Sequence, residues 1–338
     1  LNHIIMKNYF YYSVKFLFFL ISILIISCGS PKKEIRDSYE EDIIGFWERK
    51  GTIEVVNGIP VDTLIWTDSD DTKKTRQVKF FGEGNRIFWI SNISDTINNP
   101  WPGGNGGYGK YKIHARDSLT EYLTNGTGWF GAYLKNRKDS LNVKNESFGF
   151  DTYLSKNSYS QFMGDNAMDQ DSKNQNTGFS EYYVKFPPSA PKTKLDGVWK
   201  RVYEISYVNG IAVDTTSVPS DVVLDIKTMY RGRFIYQVDQ TGLAERGLAL
   251  HGGFGGYGQF EYDGKGNLVE YDEFGSGNFP GSLERGPKTD GGYKKVTFYS
   301  DDLFLQVDKD TLNQGGMGFG SAETSNKTFR GLVYERVK

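Results

Sequence analysis

The stretch Gly45–Thr63, GFWERKGTIEVVNGIPVDT, decides the fold because the chain contains it twice. Gly197–Thr215 reads GVWKRVYEISYVNGIAVDT and aligns with it without a gap, with eleven of nineteen positions identical. In each copy an apolar-rich run is followed by Asn-Gly and a second run, which is the strongest short signal for a type I′ β-hairpin. The sequence therefore predicts a duplicated domain that opens with a hairpin.

The duplication continues beyond the hairpin. Gly103–Gly109, GGNGGYG, corresponds to Gly252–Gly258, GGFGGYG, and Leu119–Tyr122 corresponds to Leu268–Tyr271 in the same order. Phe186–Pro191, FPPSAP, separates the halves with three prolines, a composition typical of a stiff linker that does not pair with strands. We expect one domain over 43–187, a linker over 188–194 and a second domain over 195–338.

Composition indicates an all-β protein. The chain has 40 Gly, 22 Tyr and 23 Phe but only eight Ala, and no segment longer than ten residues keeps a helical period. Short strands between Gly, Asn and Asp turns predict two tandem antiparallel barrels or sandwiches with little helix. The net charge of -2 offers no basic surface for a phosphate backbone, so no nucleic-acid partner is expected.

The first thirty residues predict where the protein resides. Lys7 and Lys15 precede the apolar run Phe16–Ile26, which is short for a membrane-spanning helix and typical of a secretory signal. Ile25–Ser30, IISCGS, then resembles the lipobox of bacterial lipoproteins. This resemblance implies removal of residues 1–27 and acylation of Cys28, with palmitate among the acyl groups, in the outer membrane of a Gram-negative cell envelope.

Two further expectations concern this leader. Residues before Met6 are expected to be untranslated, and residues 28–42, which are mostly charged after Cys28, form a flexible tether on the lipidated N-terminus. The alternative is an uncleaved anchor, because residues 8–27 nearly suffice to span a bilayer if Lys15 reaches the interface. Either way the membrane is the predicted partner, and the face of the membrane is left open.

A second resemblance begins at the duplicated tryptophan. Gly45-Phe46-Trp47 and Gly197-Val198-Trp199 resemble the Gly-x-Trp opening of lipocalin-like barrels. The resemblance implies an eight-stranded barrel in which each tryptophan closes one end beneath an arginine of the last strand. Arg330 or Arg336 is the expected arginine in the second half, and Lys185 is the weaker match in the first. It also implies non-covalent binding of a small, often apolar molecule.

The glycine motifs do not predict a nucleotide site. Gly104-x-Gly106-x-x-Gly109 and Gly253-x-Gly255-x-x-Gly258 match the dinucleotide fingerprint, but strand-like sequence follows each where that fingerprint needs a helix. We expect instead a bend or a close backbone contact that a Cβ atom would block. A single cysteine and two isolated histidines after it, His114 and His251, give no metal site, and no cofactor is expected.

Three pairs or groups of residues remain as candidates. Glu121 and Glu270 are equivalent in the two halves and suit general acid chemistry if they line a cavity, the alternative being outward-facing residues that pair with lysine. Asp62 and Asp214 are expected to organise the end of the hairpin. Four tryptophans, by contrast, occur only in the first half: Trp66, Trp89, Trp101 and Trp129. Trp101 and Trp129 are near turns or glycine-rich loops, where an aromatic face suits a sugar or an apolar ligand, whereas Trp89 is also explained by barrel packing.

The sequence thus predicts a lipid-anchored, non-catalytic binding module for a small apolar molecule or glycan, with binding in the first domain. Candidate ligand-binding residues are Trp66, Trp89, Trp101, Trp129, Tyr108, Tyr257, Glu121 and Glu270, and the structural residues are Trp47, Trp199, Gly45 and Gly197. A structural or surface-assembly lipoprotein is the alternative, followed by a barrel enzyme that uses Glu121 and Glu270.

Overall fold

The duplicated hairpin is the first part of each of two closed antiparallel β-barrels. A computed structural model describes residues 36–56, 59–65, 76–91, 105–162, 180–218, 224–239, 254–277, 288, 291–308 and 328–338. A short helix, α1 (Arg36–Ile43), precedes the first barrel. The all-β prediction and the tandem arrangement are confirmed, whereas the leader, including Cys28 and the segment 8–27, lies outside the described residues.

The first barrel contains nine strands. They are β1 (Gly45–Val56), β2 (Ile59–Ile65), β3 (Gln77–Gly82), β4 (Arg86–Ser91), β5 (Asn105–Ala115), β6 (Ser118–Thr127), β7 (Glu146–Leu154), β8 (Ser158–Phe162) and β9 (Ser180–Lys185). Pairing of β1 with both β3 and β9 closes a ring of eight strands, and β2 lies beside β1 outside that ring.

The second barrel repeats this topology. Its strands are β10 (Gly197–Val208), β11 (Ile211–Ser217), β12 (Leu224–Tyr230), β13 (Arg233–Asp239), β14 (Phe254–Tyr262), β15 (Asn267–Gly277), β16 (Gly292–Ser300), β17 (Leu303–Asp308) and β18 (Thr328–Arg336). Pairing of β10 with β12 and β18 closes the ring, and β11 flanks β10. Asn209 and Gly210 have φ of 50° and 80°, as a type I′ turn requires. The equivalent Asn57-Gly58 lies outside the described residues.

The prediction of little helix is confirmed in the described residues, although the longer of the two helices was not predicted. A 14-residue helix, α2 (Gly128–Leu141), connects β6 to β7. Asn142 follows it in the left-handed conformation, and its N–H donates to the Lys138 carbonyl as a C-terminal cap. Phe130 and Leu134 are buried, so tertiary packing stabilises a helix whose own sequence pattern is weak.

A shared apolar core joins the two barrels. It is formed by outward-facing side chains of both barrels: Phe46, Val78, Phe80, Phe88, Ile90 and Tyr108 from the first, and Val198, Leu224, Ile226, Ile235, Tyr257 and Phe274 from the second. Arg76 adds an ion pair across this interface, with Nη2 3.4 Å from Glu273 Oε2. Since each fully buried side chain of this kind contributes about 1.5–3 kcal/mol, the interface is a core in its own right.

The interface has approximate two-fold symmetry. Arg86 of the first barrel donates to the Lys338 carbonyl at 2.6 Å, and its equivalent Arg233 donates to the Pro187 carbonyl at 3.4 Å. Lys338 and Pro187 occupy equivalent positions, because each lies two residues after the cation that pairs with the barrel's tryptophan. Each barrel therefore holds the chain that leaves the last strand of the other, which is the pattern of a self-complementary interface.

Candidate functional site

The duplicated tryptophan closes one end of each barrel. Trp47 and Trp199 are fully buried, and their Nε1 atoms donate at 2.7 Å to the carbonyls of Ile43 and Leu195. We call this the tryptophan end of each barrel. Strands β4 and β8 both run away from the tryptophan, so each of them ends at the opposite end of the first barrel.

A cation from the last strand covers each tryptophan. The Arg336 guanidinium carbon lies 4.1 Å from the Trp199 ring centre, and Lys185 Nζ lies 5.0 Å from that of Trp47. Arg330 is exposed and pairs with Glu204 instead. Gly197 has φ of 147°, and a Cβ there would lie 2.2 Å from Arg336 Nη1, so the glycine of Gly-x-Trp makes room for the cation.

The glycine-rich strands fit close backbone contacts, as expected. A Cβ on Gly107 would lie 2.2 Å from Nε1 of Trp89, and a Cβ on Gly256 would lie 2.4 Å from Cε1 of Tyr236, the equivalent aromatic. β5 and β14 are also bulged next to Gly109 and Gly258. Trp89 faces the inside of the first barrel and packs at 4.9 Å on Phe130 of α2, so the helix covers the interior near the end opposite Trp47.

Glu121 lies inside the first barrel in a buried ion pair. Its Oε1 accepts a hydrogen bond from Lys79 Nζ at 2.7 Å, and both side chains are almost inaccessible to solvent. Gln161 also accepts from Lys79, at 2.9 Å, and Glu181 Oε2 lies 3.8 Å from the same ammonium. Burial raises the pKa of Glu121, while the charge and hydrogen bond of Lys79 lower it.

Glu181 joins this ion pair to a larger polar network. It accepts hydrogen bonds from Gln77 at 2.6 Å, Tyr183 at 2.7 Å, Gln161 at 2.8 Å and Arg49 at 3.2 Å. Tyr159 donates to Gln161, contacts Trp47 edge to face and stacks on Tyr183. With every member bonded, the network fills the centre of the barrel with side chains.

Glu270 occupies the equivalent position in the second barrel. Lys227 Nζ donates to its Oε1 at 2.6 Å, and Lys294 Nζ lies 3.8 Å from its Oε2. Both predicted acid–base candidates thus pair with a lysine, but they face inward rather than outward. Each carboxylate is held in a buried ion pair with a lysine of its own barrel. These ion pairs stabilise the barrels and do not present a proton to a ligand.

The second barrel contains an equivalent buried polar network, in which one carboxylate lies on a different strand. Gln77 corresponds to Asp225, and Glu181 corresponds to Leu332, so the carboxylate moves from the last strand to β12. Asp225 Oδ2 lies 2.7 Å from Arg201 Nε, although that N–H is not aligned for a hydrogen bond. Burial raises the pKa of Asp225 to about 6, despite the nearby charges of Arg201 and Lys227.

Tyr108 and Tyr257 lie in the interface between the barrels. Arg86 donates to the Tyr108 hydroxyl at 3.1 Å, and Arg233 donates to the Tyr257 hydroxyl at 2.5 Å. Tyr257 is fully buried and stacks on Phe186 at the end of the first barrel. Their equivalence in sequence therefore reflects the symmetry of the interface.

Three tryptophans of the first half remain to be placed. Trp66 and Trp101 are outside the described residues. The backbone of Trp129 is in the first turn of α2, and its side chain is not among those that the structure describes.

An open groove lies on the outer face of the first barrel. It has a volume of about 440 Å³ and is lined by residues of β5 to β8: His114, Ser118, Leu119, Thr120, Gly149, Phe150, Asp151 and Phe162. His114 Nε2 lies 3.0 Å from Thr120 Oγ1. A Cβ added to Gly149 would meet nothing within 4 Å, so the missing side chain leaves the groove open.

The equivalent positions on the second barrel carry different side chains. Strand pairing makes Gly149 equivalent to Tyr293 and Thr120 equivalent to Val269. The bare backbone at the groove is therefore a feature of the first barrel. Sequence reasoning missed it because a lone glycine in a strand carries no visible signal until it is compared with its partner in the repeat.

The chain matches no protein-family model. Comparison with curated proteins also finds no relative. In the described part of the chain, no helix is long and apolar enough to cross a bilayer. The described residues likewise contain no group of three or more His, Cys, Asp or Glu side chains placed to hold a metal ion.

Proposed function

We propose that this chain is a lipid-anchored protein of the bacterial outer membrane whose first barrel binds a small ligand without transforming it. The observation that carries the binding proposal is the open groove at Gly149 of the first barrel, a position that Tyr293 occupies in the second. The anchor part of the proposal is supported by the lipobox at Cys28 and the charged segment that follows it.

The barrel interiors support a binding role over a catalytic one. Glu121 and Glu270 are held by Lys79 and Lys227 in buried pairs, so neither is free to exchange a proton with a bound molecule. Trp47, Tyr159 and Tyr183 occupy the space beside the first network. A ligand is therefore expected at the outer groove or near the end of the first barrel where Trp89 lies.

Anchoring is tested in a Gram-negative host that expresses the whole chain. Membrane fractionation and intact-mass measurement are expected to show loss of residues 1–27 and acyl groups on Cys28, because multiple acyl chains hold a protein stably at a membrane. Cys28→Ala is expected to release the protein into the soluble fraction. A full-length product whose location is unchanged by Cys28→Ala would contradict the anchor.

Binding is tested by the fluorescence of the tryptophans of the whole purified protein during titration with pools of glycans and fatty acids. Trp101→Ala and Trp129→Ala test whether either of these tryptophans contacts the ligand, since truncation of an anchoring aromatic is expected to weaken binding about thirtyfold with little change in melting temperature. The whole chain is used because the barrels share a core. No response to any pool would contradict the proposal.

A further inference from the structure

We infer that the groove at Gly149 binds a ring of a neutral saccharide, an inference that rests on the proposed binding function and specifies its ligand. The groove lies on the outer face of β5 to β8, and the backbone of Gly149 is part of its lining. A single sugar ring fits an open groove of this kind, whereas a flexible acyl chain requires an enclosed apolar cavity.

The lining offers unused hydrogen-bonding groups. Ser118 and Asp151 are direct neighbours across β6 and β7, and Thr120 is the neighbour of Gly149. Within the described part of the chain, neither the Ser118 hydroxyl nor the Asp151 carboxylate has a protein hydrogen-bond partner. Together with the His114–Thr120 pair, these groups supply the donors and acceptors that sugar hydroxyls need.

An exposed aromatic side chain lies beside the groove, against one of its buried lining residues. Phe162 lines it and stacks on Tyr153, with ring centres 6.3 Å apart and planes 15° apart. Tyr153 lies two residues from Asp151 on the same face of β7 and is 55% exposed. An exposed aromatic beside fixed polar groups suits a molecule with an apolar ring face and a polar rim, which describes a pyranose.

Charge distinguishes a neutral sugar from an anionic one. Among the described residues that line the groove, Asp151 is the only charged side chain, and neither Lys nor Arg occurs there. A carboxylate repels phosphate, sulfate and uronate groups but accepts hydrogen bonds from hydroxyls. The groove therefore favours neutral saccharides.

The test uses the second barrel as a template. Gly149→Tyr and Thr120→Val give the first groove the residues found at the equivalent positions of the second barrel, and an added Cβ at Gly149 meets no atom within 4 Å. The lipidated protein in detergent micelles is applied to an array of neutral and anionic glycans, and hits are measured by calorimetry. Neutral glycans are expected to bind, and Gly149→Tyr is expected to weaken them at least thirtyfold. Thr120→Val is expected to weaken them severalfold.

The controls separate this inference from the proposed function. Tyr293→Gly, which changes the equivalent position of the second barrel, is expected to leave affinity unchanged. Binding of a neutral glycan that Gly149→Tyr and Thr120→Val do not weaken overturns the groove as the site. Binding of only fatty acids or anionic glycans overturns the saccharide and leaves the binding function intact. No binding of either class overturns both.

Discussion

At the scale of single residues, the two barrels reach the same electrostatic balance in different ways. The first places a carboxylate at Glu181 and an amide at Gln77, and the second places an apolar side chain at Leu332 and a carboxylate at Asp225. In both, Lys79 or Lys227 retains a glutamate partner. A buried cation needs a nearby anion, but the second carboxylate of the network can be provided by a different strand.

This exchange predicts a rescue experiment. Glu181→Leu alone is expected to destabilise the protein by about 3–5 kcal/mol, because it leaves Arg49 and Lys79 with too little negative charge. Adding Gln77→Asp recreates the arrangement of the second barrel and is expected to recover at least half of that loss. Urea unfolding measures both variants. A double variant no more stable than the single one would show that the two positions are not coupled.

Asp225 predicts a pH dependence of stability. Its pKa is raised to about 6 in the folded protein from an ordinary value of 3.8, so the folded state holds the proton more tightly. The resulting stabilisation is complete below pH 3.8 and is lost as pH rises through 6. At about 1.4 kcal/mol per pH unit, the loss is roughly 3 kcal/mol. Asp225→Asn is expected to remove this component from urea unfolding measured between pH 4 and 7. An unchanged pH profile would contradict it.

The buried tryptophans are expected to be essential to both barrels. Trp47→Ala and Trp199→Ala each remove a fully buried ring, its hydrogen bond and the surface on which Lys185 or Arg336 rests. Each substitution is expected to cost about 3–5 kcal/mol in unfolding free energy. Trp89→Ala is the comparison, since that ring is only partly buried and is expected to cost less.

At the scale of elements, β2 and β11 are exposed edge strands, and a strand of another molecule can pair with either of them. All seven residues of β11 are exposed, including Ile211 and Val213. Asp214 Oδ1 accepts a hydrogen bond from the Thr215 amide at 2.8 Å, and Asp62 does the same for Thr63 at 2.7 Å. The two aspartates lie on the bulged strand of each hairpin, directly after the bulge rather than at the hairpin end, and each occupies an amide that another molecule would need.

Removal of these carboxylates is expected to promote self-association. Asp62→Ala with Asp214→Ala frees one amide on each edge and removes a charge that discourages strand pairing. Sedimentation velocity is expected to show concentration-dependent oligomers. Asp301→Ala with Asp117→Ala changes net charge equally at exposed turns and is expected to remain monodisperse. Equal behaviour of the two double variants would show that net charge alone matters.

Sequence reasoning succeeded where the repeat provided a comparison. The hairpin, the glycine bends and the tryptophan beneath Arg336 all recur at matched positions in the two halves. It failed at α2, whose counterpart in the second half is not a helix-like sequence and whose burial depends on Phe130 and Leu134 meeting the barrel. It also missed Lys79 and Lys227, although a lysine within an apolar strand in both halves was a visible signal of a buried ion pair.

At the scale of the whole molecule, the two barrels form a pair fused through a pseudo-symmetric interface. Gln237 of β13 crosses it and donates to the carbonyls of Trp89 and Gly107 at 2.8 and 2.9 Å. The backbone that supports Trp89 is thus held by the second barrel. The second barrel therefore stabilises the first even if it binds nothing itself.

This interface predicts that the halves remain together without a linker. A protease site inserted between Pro191 and Lys192, followed by cleavage, is expected to leave both halves eluting as one species in gel filtration. Ile90→Asp places a charge in the shared core and is expected to separate them after cleavage. Val143→Asp, at an exposed residue, is the control. Separation of the unsubstituted halves would contradict a common core.

Closure of each ring by its first and last strands also governs how the protein folds. Trp47 pairs with Lys185 and Trp199 with Arg336, so the strand that begins each barrel is completed by residues more than a hundred positions later. Such high contact order makes folding slow, because loop entropy is lost before these contacts form. The structure of each barrel is therefore expected to form only after its last strand has been synthesised.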